Sequence, residues 1–439
     1  MNALSLPSVA VYALPMLTLW AIYIGTKQLS SRRNHAARQS AIDAGLTEPA
    51  SLHPIIDPSA CVGCGSCVSA CPEQPLHQVL GLIDGKAHLI NATDCIGHGA
   101  CKTACPMSAI TLVFGTARRG IDIPHVSPDY STNVPGIYIA GELGGMGLIR
   151  NAIEQGTQAM ASIRALCKRT GNGKYDVVIV GAGPAGFAAT LAAHKHGLRY
   201  LTVEQESLGG TVFQFPRGKL VMTAPVGLPI VGKMNIRETS KEALLEFWQC
   251  AERESGVCIN YRERIDTIKQ NGDGFEIKTT KNQYFTDAVL LAIGRRGTPR
   301  KLGVAGEEHP KVVYRLIDPE QYRGCRVLVV GGGDSALEAA LSIAAEPDTE
   351  VTVSYRSDAF SRAKPKNREK IEAASDAGKL TLAMKSNVHS ITPQEVELER
   401  DGTITALPND AALVCAGGIL PTQFLKDTGI EVETKHGTA

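Results

Sequence analysis

The chain has 439 residues and a formal net charge of +1, from 45 Lys and Arg against 44 Asp and Glu. At roughly 150 residues per domain this length suggests about three domains, and the balanced charge provides no field that would attract nucleic acid. Glycine is abundant, with 44 residues, whereas aromatic residues make up 5%. That profile is typical of an α/β protein and excludes a collagenous or disordered chain. Seven of the 12 cysteines fall between Cys61 and Cys105, which indicates local metal or redox chemistry rather than disulfide stapling.

The N-terminal stretch from Ala3 to Gly25 has no charged residue and is mostly apolar. About 20 helical residues span a hydrocarbon core, so the sequence predicts a transmembrane helix over 1–26 and a polar tether over 27–54. All the basic residues, beginning at Lys27, follow the stretch. They predict a single-pass inner (cytoplasmic) membrane protein with its other domains in the cytoplasm. A cleaved signal peptide and a buried core helix are the alternatives.

Four cysteines follow in the pattern C-x2-C-x2-C-x3-C-P, from Cys61 to Cys71. Thiolates are the ligands of iron–sulfur clusters, and this spacing lets a glycine-containing loop present three sulfurs to one cluster while the fourth points toward another. Zinc is the alternative, although a zinc ribbon uses paired C-x2-C units separated by a longer stretch. The run therefore predicts iron–sulfur chemistry.

A second run, from Cys95 to Cys105, keeps these offsets but has His98 in place of its second cysteine. Together the runs resemble a bacterial two-cluster ferredoxin domain, a small α+β fold over 55–115. The resemblance implies one [4Fe–4S] cluster on Cys61, Cys64, Cys67 and Cys105, and another on Cys71, Cys95, Cys101 and the residue at position 98. An imidazole ligand there would remove negative charge and raise the potential. If His98 is not a ligand, the site would hold a three-iron cluster, or His98 would simply be exposed in a loop. The position of His98 in register with the missing cysteine favours ligation.

A β-branched run at Tyr175–Val180 leads into the turn G-A-G-P-A-G and then into an alanine-rich helical stretch. Glycines in such a turn allow a tight bend and a close approach of backbone to a pyrophosphate, which rests on the helix N-terminus. An acidic residue ends the next strand, where a ribose contact needs it. The combination predicts a dinucleotide site at Gly181, Gly183, Pro184, Ala185, Gly186 and Glu204.

A second copy of this pattern begins at Arg326 and contains the turn G-G-G-D-S-A. Its next strand ends without an acid and is followed by arginines instead. Because arginine accepts the 2′-phosphate of NADP whereas an acid accepts a free ribose hydroxyl, the pattern favours NADP over NAD. The predicted contacts are Gly331, Gly333, Asp334, Ser335, Ala336, Arg356 and Arg362.

The two turns, with L-L-A-I-G-R-R-G (290–297) between them, resemble the pyridine-nucleotide-disulfide oxidoreductase superfamily, and within it the thioredoxin-reductase-like branch. The resemblance implies an α/β protein with two Rossmann-like domains, in which the first turn binds FAD and the second binds NAD(P)H. It adds Gly294, and Gly210 and Thr211 in the loop after the first turn, as flavin-side contacts.

The third flavin motif of that family stands upstream here, as T-N-V-P-G-I-Y-I-A-G-E over 132–142. In family members this segment would follow the point where the present chain stops. The sequence therefore resembles a circular permutation with the ferredoxin module placed before the displaced piece, which is compatible with one fold when the old termini lie close together. The resemblance implies that Gly141 and Glu142 contact the flavin cofactor, with Glu142 in place of the usual aspartate.

The predicted organisation has seven segments in chain order. They are a transmembrane anchor (1–26), a tether (27–54), a ferredoxin-like domain (55–115), a displaced FAD-domain segment (116–172), an FAD-binding domain (173–299), an NAD(P)-binding domain (300–415) and a return to the FAD domain (416–439).

No C-x-x-C stands outside the ferredoxin runs, so thioredoxin-reductase chemistry is not expected, and no acid–base residue is assigned because the cofactors perform the chemistry. The sequence predicts a membrane-tethered flavoprotein enzyme that passes electrons between NAD(P)H, FAD and iron–sulfur clusters. Its expected partner is a membrane electron carrier, a membrane reductase complex or a soluble ferredoxin, and the resemblance implies a homodimer. The alternatives are a redox- or oxygen-sensing or assembly module with a non-catalytic flavin fold, and a small-molecule reductase with structural clusters.

Overall fold

The chain divides into two units in the computed structural model, residues 1–120 with 436–439 and residues 121–435. The residues that the structure describes are 6–43, 47, 49, 52–74, 78–117, 120–145, 147–166, 174–295, 297–360 and 363–437, and the described side chains of the first helix begin at residue 13.

The first unit combines a long N-terminal helix with short helices and two-stranded antiparallel sheets. Its elements are α1 (Leu6–Asp43), β1 (His53–Ile56), α2 (Ser66–Ala70), β2 (Leu80–Ile83), β3 (Lys86–Leu89), α3 (Ala100–Thr103) and β4 (Ile110–Val113). β1 pairs with β4, and β2 with β3. Asp84 and Gly85 join the latter pair, and both have positive φ, 49° and 75°, as a two-residue hairpin turn requires.

The predicted transmembrane anchor is wrong. Within the described part of the chain, no helix is long and apolar enough to cross a bilayer. α1 continues through the predicted boundary at residue 26 to Asp43. The second half of α1 packs on β2 of the same unit, where Asn34 Nδ2 donates to Leu82 O at 2.8 Å. The predicted single-pass inner-membrane location is corrected together with the anchor.

The second unit is built on two sheets, each with a core of parallel strands. Its helices and strands are β5 (Ile121–Pro124), β6 (Ile137–Ile139), α4 (Ile149–Leu166), β7 (Tyr175–Val180), α5 (Pro184–Lys195), β8 (Tyr200–Glu204), β9 (Leu220–Met222), β10 (Val226–Leu228), β11 (Gly232–Met234), β12 (Glu238–Ser240), α6 (Lys241–Ser255), β13 (Ile259–Tyr261), β14 (Ile265–Asn271), β15 (Gly274–Thr279), β16 (Gln283–Leu291), β17 (Thr298–Pro299), β18 (Val312–Val313), β19 (Arg326–Val330), α7 (Asp334–Ile343), β20 (Glu350–Tyr355), α8 (Pro365–Asp376), β21 (Thr381–Met384), β22 (Ser386–Ile391), β23 (Glu395–Arg400), β24 (Thr403–Pro408), β25 (Ala411–Val414), β26 (Gly418–Ile419), α9 (Thr422–Asp427) and β27 (Val432–Lys435).

Both sheets place a strand, a glycine turn and a helix in succession. The first sheet has the order β13-β8-β7-β16-β15-β14, with β6 added beside β16, and the second has the order β18-β25-β19-β20-β21. β7 and β19 are buried between parallel neighbours, which explains why their sequences are continuous β-branched runs rather than alternating ones. The predicted α/β class with two Rossmann-like halves describes this unit.

The segment before β7 belongs to the first sheet although it precedes that sheet in the chain. β6 pairs in parallel with the last residues of β16, and α4 packs on α5, where a Cβ at Gly156 would stand 2.0 Å from the carbonyl oxygen of Ala185. The C-terminal strand joins this segment as well, because β27 pairs with β5 in antiparallel orientation. Asn133 reinforces this connection: its Nδ2 donates to Gly429 O, and its Oδ1 accepts from Glu431 N, each at 2.9 Å.

Replacing Gly156 with alanine should lower the free energy of unfolding of the second unit by about 1–3 kcal/mol, the usual cost of overpacking a tight contact. Chemical unfolding followed by circular dichroism measures it. Gly227→Ala is the control, because a Cβ at Gly227 would meet nothing within 4 Å. Equal midpoints for the two variants would contradict close packing of α4 on α5.

Candidate functional site

Four thiols from two segments of the first unit line one cavity. Two come from the loop that enters α2, one comes from the first turn of α2, and the fourth follows α3. The thiols belong to Cys61, Cys64, Cys67 and Cys105. The loop turns this tightly because Gly63 and Gly65 have φ of 67° and 81°, a region that residues with a Cβ rarely adopt. The fold thus brings together the four residues predicted for the first cluster.

The cysteines of this first cavity make hydrogen bonds with neighbouring groups. The Ala87 amide donates to Cys61 Sγ at 3.4 Å, and Lys86 Nζ donates to Cys61 O at 2.6 Å. Cys64 Sγ lies 3.4 Å from Ser66 Oγ, and this hydroxyl is the main cause that lowers the pKa of the Cys64 thiol. Burial acts oppositely on Cys67 and raises its pKa. The Ala87 amide thus faces a sulfur that carries negative charge when it ligates a metal.

A second cavity in the same unit is lined by three thiols, two imidazoles and a carboxylate. These groups belong to Cys71, Cys95, Cys101, His53, His98 and Glu73. Gly97 and Gly99 have φ of 79° and 74°, so this loop repeats the turn of the first one. His98 therefore lies beside the three predicted thiols. No sequence pattern signals His53, which precedes the first run and belongs to no motif.

Burial sets the protonation of the groups in the second cavity. It raises the pKa of the Cys95 thiol to about 11 and also raises that of Cys101, so these thiols lose their protons only when a bound cation replaces them. Burial lowers the pKa of His98, against the opposing effect of Glu73. His98 is therefore a neutral imidazole near pH 7, with a lone pair available for a metal.

The donor sets fit iron–sulfur clusters, because four cysteines line the first cavity and three cysteines with His98 line the second. Among the described residues, no group of three or more His, Cys, Asp or Glu side chains is arranged to hold a single metal ion.

The first glycine turn of the second unit depends on close backbone contacts. A Cβ at Gly181 would stand 2.7 Å from Ala292 O, and one at Gly186 would stand 1.8 Å from Gly181 O. Pro184 begins α5, where its missing N–H interrupts no helical hydrogen bond. No side chain caps the N-terminus of α5 at Gly183, as is usual where a helix N-terminus binds a phosphate.

Glu204 lies at the end of β8 and is 6% exposed. Its Oε2 accepts from Ala182 N at 2.7 Å, and its Oε1 accepts from Glu206 N at 2.8 Å. Burial raises the pKa of this carboxyl. Both oxygens thus face backbone donors of the glycine turn and the loop after β8, which holds the carboxylate beside the turn.

The displaced segment meets this turn directly. A Cβ at Gly141 would stand 3.0 Å from Ala185 Cβ, and one at Gly210 would stand 3.0 Å from Gly183 Cα. Gly141 N donates to Gln155 Oε1 at 2.8 Å, a contact that no motif signalled. Glu142 and Thr211 follow Gly141 and Gly210 in the chain, and Gly294 lies in the loop that continues from Ala292. The predicted flavin residues therefore lie at the same edge of the first sheet.

The second turn also depends on a close backbone contact of its first glycine, but its surroundings differ. Gly331 has a φ of 140°, and its Cβ would stand 2.5 Å from Cys415 O. Asp334 begins α7, and its Oδ1 accepts from Lys364 N and Asn367 Nδ2, each at 2.8 Å, so this carboxylate ties α7 to the start of α8. Gly333, Ser335 and Ala336 stand at the N-terminus of α7.

The aromatic ring of Tyr355 covers the second turn. A Cβ at Gly332 would stand 2.4 Å from Tyr355 Cζ, and the tyrosine stacks on Phe360 with the ring centroids 5.5 Å apart. Arg356 follows β20 and is exposed. Arg362, the other predicted phosphate ligand, lies outside the described residues.

Two family descriptions match the chain. Residues 178–438 match pyridine nucleotide-disulphide oxidoreductase, and residues 53–106 match a 4Fe-4S dicluster domain. The chain is 30% identical over 270 residues to a ferredoxin–NADP reductase of Ignicoccus hospitalis, with 60% of this chain and 83% of the relative covered. It is 26% identical over 266 residues to bacilliredoxin reductase Bdr of Bacillus subtilis, with 59% and 82% covered.

Among solved structures, the chain is similar to the bacillithiol disulfide reductase Bdr (YpdA) of Bacillus cereus, with a TM-score of 0.53 and 25% identity over 59% of this chain and 83% of that one. These findings confirm the predicted cofactors, FAD, NADP and 4Fe–4S clusters, and the predicted enzyme class. The chain belongs to the pyridine nucleotide-disulphide oxidoreductase family, and within it this chain is a flavin oxidoreductase with an added iron–sulfur domain.

Proposed function

We propose that the enzyme transfers electrons between NADPH and a soluble one-electron carrier protein, such as a ferredoxin. The observation that carries this proposal is the presence in one chain of two cysteine-lined cavities and two glycine turns of the dinucleotide type. FAD held at the first turn would exchange a hydride, two electrons together, with NADPH, and two clusters would carry one electron each, so that the electrons would balance without a further oxidant. The same residues serve transfer in either direction.

The cysteines divide between two cluster sites in this proposal. Cys61, Cys64, Cys67 and Cys105 hold the first cluster, because their thiols line one cavity. Cys71, Cys95, Cys101 and His98 hold the second, because they line the other. Each site thus takes ligands from both sequence runs, which ties the two loops together through the bound groups.

The flavin and the nicotinamide nucleotide take one glycine turn each. Gly181, Gly183 and Gly186 let the FAD pyrophosphate approach the N-terminus of α5, Glu204 accepts from the ribose, and Gly141 and Glu142 face the flavin from the displaced segment. Gly331 and Gly333 do the same for NADPH at α7, with Arg356 on its 2′-phosphate.

Dithiol chemistry is less well supported than transfer to a one-electron carrier. The Bacillus relatives are named bacilliredoxin reductase and bacillithiol disulfide reductase, but this chain has no C-x-x-C outside the cluster runs. The described cysteines of the second unit are Cys250, Cys258, Cys325 and Cys415, and no two of them stand at C-x-x-C spacing. The cluster cavities are therefore the acceptors that this chain itself offers to electrons from the flavin.

Replacing Cys67 with alanine should leave NADPH-driven bleaching of the flavin intact but slow reduction of cytochrome c or ferredoxin roughly tenfold or more, since the first of the two one-electron acceptors within the chain loses a ligand. Anaerobic stopped-flow absorbance measures both. Cys258→Ala, at an exposed cysteine of the second unit, is the control. Unchanged transfer in the Cys67 variant would show that the clusters are structural and would favour a small-molecule reductase.

Replacing Glu204 with glutamine keeps the shape of the side chain but removes its charge. A charged hydrogen bond contributes about 1.5–3 kcal/mol, so the dissociation constant of FAD should rise about 10- to 100-fold. Flavin fluorescence during dialysis measures it, and Glu246→Gln, at an exposed position of α6, is the control. Equal FAD retention in both variants would show that Glu204 does not contact the ribose.

Replacing Arg356 with alanine should raise the KM for NADPH about 10- to 100-fold and leave the KM for NADH within about twofold, because only NADPH has the 2′-phosphate. Steady-state flavin turnover with a dye acceptor measures both constants. Arg253→Ala, at an exposed position of α6, is the control. A similar rise in KM for NADPH and NADH would show that Arg356 does not bind the 2′-phosphate.

A further inference from the structure

The two cluster cavities differ in the chemistry of their linings. The first is lined by four thiols and otherwise by uncharged groups, among them Val62 and Met107. The second is lined by three thiols and by three titratable side chains, His53, His98 and Glu73. His98 is accounted for by its register in the cysteine run, whereas His53 has no role in the proposed function.

His53 is held rigidly at the second cavity. It is the first residue of β1 and is 7% exposed, and its pairing opposite Val113 on β4 fixes its position. The Cys95 thiol lies 3.9 Å from the carbonyl oxygen of the preceding residue, Leu52. A buried imidazole on a paired strand thus faces the same space as the thiols of the second site.

We propose that His53 is a positioning residue for the second cluster, whose sulfur accepts a hydrogen bond from the His53 imidazole. This inference rests on the proposed function, in which that cavity holds a cluster. Hydrogen bonds to cluster sulfur raise the reduction potential, and a neutral imidazole ligand at His98 removes one negative charge. His53 and His98 therefore make the second cluster the more easily reduced of the two clusters. An electron that reaches either cluster is then held preferentially by the second.

Opposing groups do not reverse this order. The Ala87 amide donates to Cys61 Sγ of the first cavity and acts on the first cluster in the same direction as the His53 donor acts on the second. Lys86 near the first site and Glu73 at the second act against the order, but both side chains are only half-buried, so water screens their charges. Asp94, directly before Cys95, is buried and also acts against the order, whereas the ligand charge that His98 removes lies on the cluster itself.

Potentiometric titration of the full chain, reduced anaerobically with dithionite and followed by EPR, tests this inference. We expect two reduction waves in the unmodified chain. His53→Leu should shift the upper wave to a lower potential and leave the lower wave and the iron content, about eight atoms per chain, unchanged. His53→Gln keeps an N–H donor and should restore most of the shift. The matched control is His88→Leu, a half-buried histidine on β3 that lines neither cavity, and it should move neither wave.

An upper wave that stays in place in His53→Leu would overturn the inference, and so would an equal shift in His88→Leu. Loss of iron from the second site in His53→Leu would also overturn it, because His53 would then be a ligand. Reduction of the clusters by NADPH tests the proposed function separately. Since dithionite rather than NADPH supplies the electrons in the titration, the effect of His53 is measured whether or not the flavin is the physiological donor.

Discussion

Close contact between backbones at glycine positions is the constraint on which the second unit depends. Gly186 lies against the carbonyl of Gly181, and Gly156 of α4 lies against the carbonyl of Ala185. The first contact shapes the turn at the N-terminus of α5, and the second holds the displaced segment against that helix. Without both contacts, Gly141 and Glu142 would not reach the edge of the sheet where the glycine turn lies.

The same principle, on a smaller scale, builds the cluster cavities. Glycines with positive φ precede α2 and α3, and they let short loops surround a cavity with sulfur. The two loops nevertheless surround different chemistry, since one cavity is lined by four thiols and the other by three thiols and two imidazoles. Side chains of one domain can therefore set two potentials within one small fold, because ligand charge and hydrogen bonding both act at close range.

The error at the N-terminus has a physical explanation. A run without charged residues suggests a membrane span, but a spanning helix is defined by the length and density of its apolar surface rather than by the absence of charge. In the structure α1 extends to Asp43, and its second half makes polar contacts through Asn34 and Ser31 to the β2–β3 hairpin. The helix thus continues into the iron–sulfur unit instead of ending before a tether.

The sequence by itself determined the chemistry of this protein, because cysteine spacing, glycine turns and β-branched runs are local patterns whose physical meaning depends on neighbouring residues. The cofactors and the family are accordingly predictable from the order of the amino acids alone. Only the tertiary structure decided which distant residues join those motifs: His53 at the second cavity, Gln155 on the amide of Gly141, and Tyr355 over Gly332. These contacts depend on strand pairing and helix packing between segments far apart in the chain, and no local spacing encodes them.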